Sequence, residues 1–253
     1  MIERMDEIFI IIPGLGAPHS DKKLEILESN LRLINKSGIK YKMTVCIYDT
    51  NVFSILSDNL KNNLNITWVY HQGIVADFII DYGRPEDVKG YKRVMILMDD
   101  IELKESCDLN KMIKYLDDFK FDIISPAMTL DSKYQYNYML ENKETNAAIK
   151  VVPCCEAFCY IMNVESYLKY YEHVDKNNPW IWGLDLILRK HIGLHIGICN
   201  NMTMRHYFKN EGYLERKDRN PVDGFKYTMD KYKTTSEILA EQKAILYWIL
   251  PTE

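Results

Sequence analysis

The residues with the clearest chemical potential are Asp99, Asp100 and Glu102, three carboxylates at the end of the apolar run Val94-Met95-Ile96-Leu97-Met98. Carboxylates this close repel one another, and a divalent cation is the commonest reason for a protein to tolerate the crowding. A plain strand-to-helix loop, with Asp100 or Glu102 as a cap, is the competing reading. Further acids stand at Glu156, between two apolar runs, and at Asp185, after Trp182-Gly183-Leu184. Asp185 opens a helical stretch, where a carboxylate also favours the helix dipole. His206 offers a ligand nitrogen, although a lone histidine is more often structural.

These groups need elements to place them. An unbroken apolar run such as 94–98 reads as a strand buried on both faces. Acids at its C-terminal end then lie where open α/β sheets bind ligands. Upstream, apolar runs at 8–12, 43–48 and 66–70 read as strands. They alternate with helical stretches at 20–37, 52–60 and 74–82, which predicts a largely parallel sheet. The first helix carries Leu24, Leu27, Leu31 and Ile34 on one stripe and closes at Gly38. Strand ends at Pro13, Asp49, His71 and Asp99 therefore gather on one edge. Gly14 and Gly16 suggest a close-approach loop, but His19 holds the third glycine position of a dinucleotide fingerprint, so that motif is absent.

Downstream, the spacing predicts a helix over 109–119, strands at 121–126, 149–152 and 157–162, and a helix over 164–174. Tyr134, Tyr136 and Tyr138 alternate as in a strand with its rings on one face. Trp180 and Trp182 rim a turn before a helix at 186–192. A short strand at 195–199 follows, with His206 on a loop and a polar surface loop over 205–219. Thr234-Thr235-Ser236-Glu237 is a capping box that opens a last helix running to Leu250.

Composition limits the function. A net charge of -4 shows no basic excess, which argues against a general nucleic-acid or anionic-membrane binder. No stretch approaches the roughly 18 apolar residues that span a bilayer, and the charged start Met1–Glu7 lacks the order of a signal peptide. A soluble, cytoplasmic protein is expected. The six cysteines form no CxxC pair and read as reduced, buried thiols.

Taken together, 94–103, Trp182-Gly183-Leu184-Asp185, Ile196-Gly197-Ile198 and His206 resemble the nucleotide-sugar glycosyltransferases of the GT-A fold. The later strings are similar to the Trp-Gly-Leu-Asp, Ile-Gly-Val-Val-Asp and His series of a glycosyltransferase-like family known mainly from plants. Phe121–Pro126 and Glu156–Phe158 occupy comparable positions, and the resemblance covers about 8–210. Small stand-alone enzymes of this kind occur in large algal viruses (chloroviruses), where they build capsid glycans, which would place the protein in host cytoplasm. Two positions depart from the pattern. Met98 stands where a first acid is found, and Asn200 where the related series has an acid.

The resemblance implies an α/β, GT-A-like domain over 1–253, with a Rossmann-type, mostly parallel central sheet flanked by helices. Its nucleotide-sugar half is about 1–103, and a mixed acceptor half is about 104–253. It implies a Mn2+ or Mg2+ cofactor held by Asp100, with Asp99 or Glu102, and by His206. Pro13, Gly14, Gly16, Tyr48, Asp49, His71, Gln72, Met98 and Asp99 would face the nucleotide sugar. Trp180, Trp182, Glu156 and Tyr136 would face a glycan or glycoprotein acceptor, and Asp185, or else Glu156, would be the catalytic base. The expected reaction is inverting transfer from a UDP-sugar, with xylose a candidate sugar, and no nucleic-acid partner or transmembrane segment. A nucleotidyltransferase also uses clustered acids and Mg2+, but no basic phosphate-gripping loop stands in the first 50 residues. The third reading is a non-catalytic nucleotide- or carbohydrate-binding module.

Overall fold

The computed structural model describes residues 7–134, 136–208, 220–234 and 245–250. Among these residues ten strands form one sheet: β1 (Glu7–Leu15), β2 (Lys40–Ile47), β3 (Ile66–Tyr70), β4 (Arg93–Leu97), β5 (Ile101–Leu103), β6 (Ile123–Met128), β7 (Ile149–Val152), β8 (Cys159–Asn163), β9 (Ile196–His206) and β10 (Tyr247–Ile249). The described helices are α1 (Ser20–Ser37), α2 (Val52–Ile55), α3 (Asp58–Lys61), α4 (Val75–Tyr82), α5 (Pro85–Val88), α6 (Leu109–Asp118), α7 (Val164–Tyr171), α8 (Leu184–Ile187) and α9 (Pro221–Lys231).

The sheet runs in the order β10-β7-β9-β6-β8-β4-β1-β2-β3, with β5 paired to β9 off this path. β3, β2, β1 and β4 are mutually parallel, so their C-terminal ends do gather on one edge. β8 then runs antiparallel to both β4 and β6, which makes the second part of the sheet mixed. β1 and β4 are centre strands whose side chains Ile10, Ile11, Val94, Met95, Ile96 and Leu97 are buried on both faces, as their unbroken apolar runs require. The α1 stripe Leu24, Leu27, Leu31 and Ile34 packs on this core, and Gly38 ends the helix at φ 71°.

Three sequence expectations need correction. Tyr134, Tyr136 and Tyr138 are not on a strand: 137–139 form a short 3-10 turn, and the Tyr136 and Tyr138 rings stack 5.4 Å apart. Tertiary partners decide that segment. The buried Lys150 ammonium donates to the Tyr138 and Leu140 carbonyls, and Tyr138 Oη lies 2.8 Å from Cys154 Sγ. His206 is not on a loop, because β9 continues to it. The predicted last helix does not reach 250, since Tyr247–Ile249 pairs antiparallel with β7; 235–244 and most of the polar 205–219 segment lie outside the described residues. A helix the sequence reading missed, α9, starts after Asn220, whose Oδ1 accepts the Val222 N–H at 2.9 Å. All six cysteines are buried and unpaired, and among the described residues no helix is long and apolar enough to cross a membrane.

Candidate active site

The acid turn is held from below by α1. Asn30, one turn inside that helix's buried stripe, accepts the Leu103 N–H at 2.8 Å and donates to the Ile101 carbonyl at 2.7 Å. It thereby pins β5 and the turn that precedes it. Lys23, two turns earlier on the same stripe, places its ammonium 2.9 Å from Asp99 Oδ2 and donates to the Gly16 carbonyl at 3.0 Å. Asp99 Oδ2 has no aligned hydrogen bond, so the contact with Lys23 is an ion pair. Burial lifts the Asp99 carboxyl above the ordinary carboxylate range, opposed by the Lys23 charge and assisted by Asp100. Burial pulls Lys23 down, yet Asp99, Tyr48 and Asp100 outweigh it and keep the ammonium charged.

Asp100 meets His206 because β5 and β9 pair antiparallel with Ile101 opposite His206. His206 Nε2 lies 3.0 Å from Asp100 Oδ2, and Nδ1 lies 2.5 Å from the Lys133 carbonyl. With Nδ1–H committed to that carbonyl, a hydrogen bond from Nε2 to Asp100 requires the protonated ring. Burial lowers the His206 pKa, but the Asp100 contact more than reverses this and the net shift is upward.

Among the described residues, no group of three or more His, Cys, Asp or Glu side chains converges as a metal cage. The Asp100–His206 pair nevertheless fits a hard divalent ion completed by substrate phosphates. Neighbouring ligands on an octahedron of about 2.1 Å radius are separated by about 3.0 Å, and Mg2+-like ions are usually held by one or two carboxylates plus phosphate. The Lys133 carbonyl on Nδ1 is the usual second partner that aims a ligating Nε2.

Asp100 and His206 open into a cavity of 860 Å³ at the C-terminal edge of the parallel strands. Of the residues singled out from the sequence, Pro13, Gly14, Tyr48, Met98, Asp99, Asp100, Tyr136, Glu156, Trp180, Trp182, Asp185 and His206 line it. Five others do not. Glu102 points elsewhere: Lys104 Nζ and Tyr207 Oη each lie 2.6 Å from its Oε2, and Ser29 Oγ lies 3.4 Å from Oε1. Burial works against the Glu102 charge, but Lys104 and Tyr207 hold its pKa below the ordinary value. Asp49 accepts the Asn51 N–H at 3.0 Å in a local turn. His71 faces Asp81 at 3.4 Å, and Gln72 donates to Tyr70 Oη at 2.5 Å. Gly16 lies behind Tyr48, where any Cβ would come within 2.7 Å of the ring. Gly16→Ala is therefore expected to displace Tyr48 and cost about 1–3 kcal/mol, read as a melting temperature about 2–8 °C lower.

The wall of the cavity around Asp185 is acidic in a different way. Asp185 on α8 is pushed up to about 7, first by burial and next by the Glu156 charge, while backbone N–H groups and Tyr136 pull it down. Tyr136 Oη hydrogen-bonds to this carboxylate. The Asp185 charge is felt by Glu156, Tyr136, Tyr160, Tyr170, Cys154 and Cys155. Glu156 acts on both Asp185 and His206, so its charge is felt at both groups. A backbone bond from the Met98 N–H to the Phe158 carbonyl, 2.9 Å, docks that segment on the end of β4.

Sequence reasoning missed Lys23, Lys133 and the His19–Phe208 stack, rings 4.4 Å apart, among the cavity residues. Lys23 left a signal: with Asn30 it occupies the spacing of Leu27 and Ile34, so two polar residues sit on a stripe that ought to be apolar.

The sheet, parallel from β3 to β4 and mixed beyond, with helices flanking it, has a GT-A-like fold, as the solved structures it resembles show. No family model matches the chain, and no curated protein matches its sequence. Solved structures do. The chain is similar to the 1-349 fragment of TarS from S. aureus, with TM-score 0.51 and 12% identity over 79% of this chain and 59% of that one. TarS has also been solved with UDP-GlcNAc. GalNAc-T7, solved with UDP, GalNAc and Mn2+, gives TM-score 0.58 and 9% identity over 88% of this chain and 47% of that one. HddC from Yersinia pseudotuberculosis gives 0.51 and 10% over 90% of this chain and 100% of that one. At these identities the likeness establishes the fold. The chain spans less than two thirds of TarS and of GalNAc-T7.

Proposed function

We propose that this protein is a metal-dependent glycosyltransferase that moves a sugar from a nucleoside diphosphate, UDP in the first instance, to an acceptor hydroxyl with inversion. The observation that carries the reading is that the Asp100–His206 pair and the high-pKa Asp185 line one cavity at the ligand edge of the sheet. Neighbours solved with UDP-GlcNAc, or with UDP, GalNAc and Mn2+, support the donor class.

Charge supports the metal. The described cavity wall carries four carboxylates, Asp99, Asp100, Glu156 and Asp185, against the ammonium groups of Lys23 and Lys133 and the His206 imidazolium. A diphosphate cannot enter such a site favourably without added positive charge. Asp100 and His206 would hold Mn2+ or Mg2+, which when bound stabilises the negative charge on the departing diphosphate. Lys23 neutralises Asp99, leaving Asp100 to serve the metal. Tyr48, Pro13 and Gly14 would border the nucleotide, and Trp180, Trp182 and Tyr136 the acceptor. Asp185 takes the proton from the acceptor hydroxyl as that oxygen attacks the anomeric carbon. Its pKa near neutrality suits a general base, and the Tyr136 hydrogen bond orients it.

The test is hydrolysis and transfer across a panel of nucleotide sugars, UDP-xylose included, with and without Mn2+. Metal-stimulated release of UDP is the expected result; metal-dependent UDP binding with no turnover of any donor would leave only a binding module. One observation favours a second reading, nucleotidyl transfer. Lys23 brings a lysine to the loop after β1 and lines the cavity, and pyrophosphate release from a nucleoside triphosphate plus a sugar 1-phosphate would establish that chemistry instead.

A further inference from the structure

The basic groups around the acid turn are mostly committed. Lys23 serves Asp99, Lys104 serves Glu102, and Arg205 Nη2 lies 3.0 Å from Asp131 Oδ2. Lys133 differs. The residue is exposed and lines the cavity, and among the described residues no hydrogen bond or ion pair engages its ammonium. The nearest acid in sequence, Asp131, is already held by Arg205 and by Thr129 Oγ1 at 2.7 Å. An unneutralised lysine in a cavity with an excess of carboxylates is poorly explained by the protein alone.

Its backbone explains its place. The Lys133 N–H donates to the His206 carbonyl at 3.2 Å, and the Lys133 carbonyl accepts from His206 Nδ1 at 2.5 Å. Ser132 Oγ accepts the His206 N–H at 3.2 Å. Lys133 is thus tied twice to the residue that faces Asp100, and it lines the same cavity. An ammonium on a flexible four-carbon stem, with three donors, suits a phosphate group that changes position as a bond breaks.

We propose that Lys133 is a phosphate-binding residue, its ammonium gripping the diphosphate of the bound donor, and of the nucleoside diphosphate left after transfer, beside the Asp100–His206 pair. The identity of that ligand rests on the function proposed above. The double backbone tie gives the arrangement a specific property. Substituting the Lys133 side chain removes the grip without disturbing the carbonyl that aims His206.

Calorimetry on the whole chain with Mn2+ and three probes, inorganic pyrophosphate, UDP and uridine, tests this. Lys133→Gln is expected to weaken pyrophosphate and UDP by about tenfold or more and leave uridine unchanged, with Lys133→Arg recovering most of the loss. Equal affinity of the Gln variant and wild type for pyrophosphate, a wild type that binds no pyrophosphate, or an equal loss for uridine would each overturn the assignment. Lys133-dependent binding of pyrophosphate with no binding of any nucleoside diphosphate would leave the phosphate grip standing and remove the glycosyl-transfer reading.

Discussion

Asp185→Asn is expected to lower the transfer rate by about 10²- to 10⁴-fold, the usual contribution of a positioned general base, while the protein becomes more stable. The second half follows from the sign of the pKa shift. The Asp185 carboxyl titrates near 7 in the fold, above its ordinary value of 3.8, so the folded chain holds its proton more tightly than the unfolded chain. Ionising it destabilises the fold, by an amount that grows from about pH 4 and is complete above about pH 7. Asn removes that penalty. Roughly half of the cost implied by the shift, on the order of 2 kcal/mol, should appear as added stability at pH 8 and vanish below pH 4. Denaturant titration at the two pH values measures it. In the wild type, kcat/KM should fall about tenfold per pH unit below 7. A catalytically silent Asn variant with an unchanged pH profile would remove Asp185 from the mechanism.

The other large effect belongs to Asp100. Asp100→Ala should abolish the enhancement of UDP binding by Mn2+ and lower turnover by about 10²- to 10³-fold, as for loss of a ligand that stabilises developing charge. His206→Ala should do nearly the same. The double variant should be little worse than either single one, because two ligands of one ion do not act independently. Glu102→Gln is the control the structure supplies. Its carboxylate is bound to Lys104 and Tyr207 and lies off the cavity, so turnover should change by less than about threefold. A large loss in Glu102→Gln with little in Asp100→Ala would reverse the assignment.

Much of the first half of the sheet was legible because buried parallel strands write themselves as unbroken apolar runs. The runs at 8–12 and 94–98 left little choice, and the Asp99–Asp100 turn followed from where β4 had to stop. What the sequence concealed were the partners that cross the fold. Nothing local to Glu102 says that Tyr207 and Ser29 join Lys104 on it, so two neighbouring acids looked equivalent until β5 turned one of them away. Tyr134–Tyr138 alternates like a strand, yet the Lys150 ammonium and Cys154, each more than ten residues off in the chain, settle it as a turn. His206 looked like a loop residue because Asn200 and Asn201 resemble a strand end. They are instead an irregularity inside β9, where Cys199 pairs with Pro126 and Thr203 with the next residue, Ala127.

That irregularity makes the site depend on a count. Three residues, 200–202, are spent while β6 advances by one step, and Asn200 is fastened to the 142 loop by bonds of 2.9 and 2.8 Å. Side chains on a strand alternate faces, so removing one residue from this spacer would present the imidazole to the wrong side of the sheet. The exposed residue 201 can change its chemistry while the spacer cannot change its length. Asn201→Ala should keep Mn2+-enhanced UDP binding, and deletion of Asn201 should lose it, so relatives of this chain would be free to change the letter at 201 but not to shorten the word.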